Sequence, residues 1–242
     1  MPARLVLAGG RGRLDLAVRF GLLDRPGCPP VLIDAGWPDR HPGEGLALRL
    51  YRALLRPRID PAKSPAAVLG ARQPGALLLT HLHADHVGLA RSLDGTPIHA
   101  PAQALDRARR HPWRVLRHGV LAGLLPDTVI DLAGDTPLPF GLGRGKDVLG
   151  DGSVFSVPLP GHADGHTGLL FPAFDAPVLY AADVQWVWPA IAEDRPPRGP
   201  ARAVYADARA AMESLARVRD FAAAGGRVVL CHDPDPVPDF VT

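Results

Sequence analysis

Apolar residues along this chain fall into short runs cut by glycine and proline, and the first third reads mainly as strands. "RLVLA" (Arg4–Ala8), "LDLAVRF" (Leu14–Phe20) and "PVLIDAG" (Pro30–Gly36) are β-like stretches separated by turn residues. Helical spacing takes over around Gly45–Leu55. "ALLLT" (Ala76–Thr80) is short enough to be a buried strand, and "TPIHA" (Thr96–Ala100) predicts another. Pro101 then suits the first turn of a helix running toward Arg110. Strand, loop, helix, strand, helix is an α/β rhythm.

The second half reuses this material in a different order. "KDVLGDGSVFSVPLPG" has Asp151-Gly152 between two alternating runs, which predicts a hairpin. "GLLF" (Gly168–Phe171), "PVLYAAD" (Pro177–Asp183) and "RVVL" (Arg227–Leu230) read as strands. The longest predicted helix is Ala201–Ala224, with Val204, Ala208, Ala211, Leu215, Val218 and Ala222 at helical spacing and Gly225-Gly226 as a stop. Two similar halves predict two packed sheets with helices outside, as one domain over residues 1–242.

Composition narrows the function classes. Lys plus Arg is 27 against 25 for Asp plus Glu, and the resulting charge of +2 gives no footprint for a nucleic acid. Two cysteines, Cys28 and Cys231, are too few for a disulfide framework, so a cytoplasmic location is expected. The N-terminus lacks an apolar leader core and no run of about 18 apolar residues follows, so no membrane contact is expected. The expected partner is a small-molecule substrate, and pairing into a homodimer is left open. Cys231 sits beside His232, and strand alternation would turn its thiol away, into the core.

Chemistry concentrates in "THLHADHVG", where three histidines and an aspartate occupy His81–His86. Other candidate ligands also stand just beyond predicted strands: His162 after the hairpin, Asp183 after "VLYAA" and His232 after "RVVL". Imidazole and carboxylate suit Zn²⁺ and related divalent ions. Seven such groups exceed the three protein ligands usual for one catalytic zinc and suit two metals sharing a bridge.

The order of His81-x-His83-x-Asp85-His86, the "PGHADGH" string, an aspartate after an apolar strand and a late "LCHDP" resembles the metallo-β-lactamase superfamily. "VLIDAG" is similar to that family's early strand and D-T-G turn, with Ala35 in place of threonine. The resemblance implies an α/β fold of four αββα layers, and the charged and apolar residues around 101–126 suggest a helical cap or flap inserted in it. It also implies His81, His83 and His162 on one metal, Asp85, His86 and His232 on the other, and Asp183 bridging them. The metals would be Zn²⁺, with Mn²⁺, Fe²⁺ or Co²⁺ as alternatives. Asp34 would be a buried acceptor behind the ligands or a turn cap, and His166 a turn or supporting residue.

The implied activity is hydrolysis by a hydroxide bridging the metals, which attacks an ester-type carbonyl. Asp85 would orient the hydroxide or carry its proton to the leaving group. "GDGSVFSVPLPGHADGHTG" and "HDP" (His232–Pro234) are similar to the lactonase-like branch, which makes a lactone the expected substrate. That branch often has a tyrosine three residues after the bridging aspartate; here Trp186 stands there. Trp37, Trp186 and Trp188 are candidates for an aromatic wall around the substrate. The alternative is a glyoxalase II-like thioesterase, followed by a two-metal phosphodiesterase or a metal-binding protein without catalysis. Arg107, Arg109, Arg110, Arg114 and Arg117 read as a solvated helix face or as an anion-recognising one.

Overall fold

A computed structural model of the chain describes residues 1–39, 45–116 and 118–237. Arg117 therefore lies outside the described residues. The fold divides into two compact units, residues 18–131 and residues 1–17 with 132–242.

The unit of residues 18–131 is built on a five-stranded mixed sheet in the order β1 (Gly21–Leu23), β2 (Val31–Ile33), β3 (Ala76–Leu78), β4 (Ile98–Ala100), β5 (Ile130–Asp131). β1 runs antiparallel to β2, and β2 through β5 are parallel. Parallel strands covered on both faces read as unbroken apolar runs, and β2 and β3 are buried at every position. Leu32, Leu77 and Leu79 are fully buried in the core against Ile98, Leu105 and Val87, each contributing roughly 2 kcal/mol of apolar burial. Four helices flank the sheet: α1 (Leu46–Leu55), α2 (Pro65–Leu69), α3 (Ala102–Arg110) and α4 (Pro112–Leu116). Ser64 caps α2 through its hydroxyl, and Pro101 stands at the N-cap of α3.

The other unit carries a six-stranded mixed sheet, β6 (Thr136–Pro137), β7 (Arg144–Asp147), β8 (Phe155–Pro158), β9 (Thr167–Phe171), β10 (Val178–Ala182) and β11 (Arg227–Leu230), adjacent in that order. β6 through β10 are antiparallel, and β11 joins β10 in parallel. The Asp151-Gly152 turn does join a hairpin, β7 to β8, and Asp147 accepts the Gly150 and Gly152 amides to close it. Helices α5 (Trp188–Ala192) and α6 (Ala208–Ala223) complete the unit. Leu215, Val218 and Phe221 of α6 pack on Val157, Leu179 and Leu230 of the sheet and on Leu159 just after β8.

Three expected elements differ. Arg4–Ala8 is not a strand: Ala3–Leu5 is a 3₁₀ turn, and Gly9 and Gly12 at φ 72° and 74° fold the chain back so that Pro2 bridges Arg13. Leu14–Phe20 forms no ladder, and the strand begins at Gly21. The helix predicted from Ala201 starts at Ala208, because Asp207 accepts the Arg209 and Ala210 amides as N-cap and a 3₁₀ turn, Gly199–Val204, precedes it. Among the described residues, no helix is long and apolar enough to cross a membrane.

Candidate metal centre

Both sheets present their chemistry at the carboxyl ends of strands, among them the parallel pairs β2–β3 and β10–β11, the kind of place where α/β sheets bind ligands. In residues 18–131, β2 ends at Asp34 and β3 leads through Thr80 into the histidine turn. Asp34 is fully buried and adopts φ 54°, an uncommon conformation that aspartate tolerates better than most residues. Its carboxylate accepts from the Thr80 amide at 2.9 Å and the Thr80 hydroxyl at 3.0 Å, and lies 2.7 Å from His86 Nδ1. The His86 ring is thereby held with Nε2 turned away from Asp34. His81 and His83 meet with Nε2 and Nδ1 3.0 Å apart, and the His81 ring lies 4.0 Å from that of His86. Asp85 is half-buried on the same turn. Gly88 allows this turn to close: a Cβ there would strike the backbone of Gly36, Trp37 and Pro38.

In the other unit, His162 follows β8, Asp183 follows β10 and His232 follows β11. Asp183 Oδ2 lies 3.3 Å from His162 Nε2 and 2.9 Å from His232 Nε2. One carboxylate oxygen thus touches two imidazoles, with all three side chains nearly or fully buried. The residue before it, Ala182, is in the left-handed region at φ 47°, next to an irregularity in the β10–β11 register. This is local strain of a kind that clusters at functional sites. His232 Nδ1 donates to the Ala17 carbonyl at 2.7 Å, which aims Nε2 at Asp183. Burial opposes the charged form of His232, but the Asp183 carboxylate and the Cys231 thiol outweigh it and hold the imidazole well above the usual histidine value.

The donor spacings fit a metal. Two donors about 2.1 Å from a tetrahedral ion lie about 3.4 Å from each other, close to the 3.0 Å of His81–His83 and the 3.3 Å of His162–Asp183. Donor atoms of Asp183, Cys231 and His232 also lie within 4.8 Å of one another. The buried Cys231 thiol therefore faces this cluster and not the core expected from strand alternation, because β11 ends at Leu230 and the alternation stops with it.

His166 has a different place. Its Nδ1 donates to the Leu159 carbonyl at 2.8 Å and its Nε2 accepts the Asp183 amide at 3.1 Å, so both ring nitrogens hold backbone around the cluster. Of the tryptophans, Trp186 lies edge-on to His232 and His162, with ring centroids 5.7 and 6.2 Å away. Trp188 packs on the α6 core while its amide donates to Asp233. In the other unit Trp37 stacks obliquely on Tyr51 at 5.8 Å. Arg107, Arg109, Arg110 and Arg114 are exposed, and Arg109 donates to the Pro126 and Asp127 carbonyls. Sequence reasoning missed Ala17, Gln185 and Tyr205. Ala17 acts through its carbonyl and leaves no side-chain signal, whereas Gln185 stands two residues after Asp183.

Two mixed sheets thus carry histidine and aspartate side chains at their strand ends. The metallo-beta-lactamase superfamily profile matches residues 25–224, and the chain belongs to that superfamily. No curated protein matches the sequence. Among solved structures, the chain is similar to an N-acyl homoserine lactone hydrolase with the product N-hexanoyl-L-homoserine bound at its catalytic metal centre. Identity is 19%, coverage 99% of this chain and 93% of the other, and the TM-score 0.69. A B. thuringiensis AiiA variant with N-decanoyl-L-homoserine at its active site gives 19% identity, coverage of 100% and 94%, and a TM-score of 0.70. AidC, a dizinc quorum-quenching lactonase in complex with a product, gives 15%, coverage of 92% and 74%, and 0.58. At these identities the likeness establishes the fold, and these relatives are metal-dependent hydrolases.

Proposed function

We propose that this protein is a dinuclear metal-dependent hydrolase that opens lactones. The observation that carries the reading is the Asp183 carboxylate oxygen seated against both His162 and His232, which would let Asp183 serve two ions at once. His81, His83 and His162 would hold the first ion, and Asp85, His86 and His232 the second, with Asp183 shared. The ions, most simply Zn²⁺, would supply Lewis acidity for the carbonyl and a water whose pKa falls to about 7.

The chain's own residues do the remaining work. Asp34 orients His86 and raises its basicity as a ligand, as carboxylates behind metal-bound histidines do. The Ala17 carbonyl fixes the His232 tautomer with Nε2 as the ligating atom. Asp85 would take a proton from the attacking water and return it to the leaving group. Trp186, edge-on to His162 and His232, would offer the substrate an apolar face and an indole N–H donor where the lactonase branch often carries a phenol. Product-bound homoserine lactone hydrolases among the similar structures support a lactone as substrate class.

The test is proton release by the Zn²⁺-loaded protein against acyl and aryl lactones, beside a glutathione thioester and a His83→Ala control. The expected result is His83-dependent lactone opening with little thioester turnover. Thioester turnover alone would replace the lactone by a thioester as substrate, and activity untouched by His83→Ala would remove the metal site from the reaction.

A further inference from the structure

Gln185 and Tyr205 are two polar side chains shut away beside the cluster, only 3% and 7% exposed. Gln185 Nε2 donates to Tyr205 Oη at 3.0 Å, and Gln185 Oε1 accepts the Trp186 amide at 2.6 Å. The second bond fixes which way the carboxamide points, leaving its N–H for the phenol. Gln185 belongs to the turn that carries Asp183, closed by the Val184 amide on the Ala181 carbonyl. Tyr205 begins a segment that runs along the His162 loop: the Ala206 amide donates to the His162 carbonyl at 3.1 Å and the Asp207 amide to the Gly161 carbonyl at 2.9 Å. Asp207 then caps α6.

We infer that Gln185 and Tyr205 are a positioning pair that keeps Asp183 and His162 at metal-binding separation. One side-chain contact ties the turn bearing Asp183 to the segment bearing His162, and the two donors face each other at 3.3 Å between these ends. An apolar pair of the same shape would fill the space as well, since burying an amide and a phenol is close to neutral even when they bond to each other. What the polar pair adds is direction. A phenol on a ring with two torsions and a carboxamide held at both ends allow one relative placement of the turns, whereas apolar side chains would slide. Burial pushes the Tyr205 phenol up to about 12, so it remains a neutral donor and acceptor wherever the enzyme would work.

The inference rests on the dinuclear reading above, and its test separates the two. The parent, Tyr205→Phe, Gln185→Met and the double variant would each be prepared metal-free. Their Zn²⁺ affinity would be measured by competition with a chromogenic chelator, their metal-free melting temperatures by circular dichroism, and their Co²⁺ forms by visible absorption. Each single variant is expected to lose about tenfold in Zn²⁺ affinity and to shift the Co²⁺ spectrum, while the metal-free melting temperature stays close to that of the parent. The double variant is expected to lose little more than the weaker single one, because either change breaks the same contact.

Affinities of both single variants within about twofold of the parent would overturn the pair, as would fully additive losses. A fall in metal-free stability with unchanged affinity would make it ordinary packing and overturn it too. Should Gln185→Met fail to fold, Tyr205→Phe, which removes a single oxygen, decides alone. A parent that takes up no Zn²⁺ would sink both the pair and the dinuclear reading, whereas a tight-binding parent with unmoved variants would sink only the pair.

Discussion

The two units solve one problem by different means. Each brings imidazole and carboxylate groups to strand ends, those of β2 and β3 in one and those of β8, β10 and β11 in the other. In residues 18–131 the histidines are neighbours in sequence, and His86 is oriented by a buried carboxylate, Asp34, at 2.7 Å. In the other unit the donors come from three separate strand ends, and the orienting groups for His232 and His166 are the neutral carbonyls of Ala17 and Leu159. A charged acceptor raises the basicity of its histidine, whereas a carbonyl mainly fixes its tautomer. The contiguous set is thus tuned electrostatically, and the dispersed set is held by backbone.

The largest effect expected from this contrast is at Asp183, the one carboxylate shared by two imidazoles. Asp183→Ala removes a ligand from both proposed ions and is expected to cost more than the about 10–100-fold typical of an orienting residue, measured as Zn²⁺ affinity and as metal content after dialysis. Asp34→Asn should fall inside that about 10–100-fold range, because the amide retains the shape but not the charge behind His86. An Asp34→Asn protein with parent affinity would erase the electrostatic half of the comparison.

Glycine supports both sets, and the next effect tests this. A Cβ on Gly161, at φ 130°, would meet the Ala211 backbone of α6, and one on Gly88 would meet the backbone of Gly36 to Pro38. Gly161→Ala and Gly88→Ala are each expected to cost about 1–3 kcal/mol in urea unfolding of the metal-free protein. Gly161→Ala should also weaken metal binding by displacing His162. Equal stability of both variants and parent would mean that the loops do not need this close approach.

The smallest effect is a pH dependence at Tyr205. Its folded pKa of about 12 lies above the about 10 of an unfolded chain, because burial disfavours the phenolate. The contribution is therefore complete below about pH 10 and is lost as pH rises from about 10 to about 12. Tyrosinate absorbance should show a late-titrating component that Tyr205→Phe removes, and a Tyr205 ionising with the free amino acid would contradict its burial.

What the sequence disclosed follows the same contrast. The strands β2, β3, β4, β8, β9, β10 and β11 lie within apolar runs that turn residues delimit, so hydrophobic pattern alone located them. The His81–His86 string announced its chemistry because three imidazoles and a carboxylate sit in six positions. His162, Asp183 and His232 are single residues after strands, legible only through their order along the chain. Ala17 was illegible, since a backbone carbonyl carries no residue signature, and the Leu14–Phe20 alternation that suggested a strand instead delivers this carbonyl to His232. Tyr205 was hidden inside a helix predicted from Ala201. There the apolar spacing continued across Asp207, whose capping bonds and pairing with the His162 loop start the helix later.

The central proposal is dinuclear metal binding, and stoichiometric metal titration tests it most directly. Metal-free protein titrated with Zn²⁺ against a competing chelator is predicted to bind two equivalents tightly per chain, with Asp183→Ala abolishing tight binding of both. A single tight equivalent, or two that survive Asp183→Ala, would contradict the account.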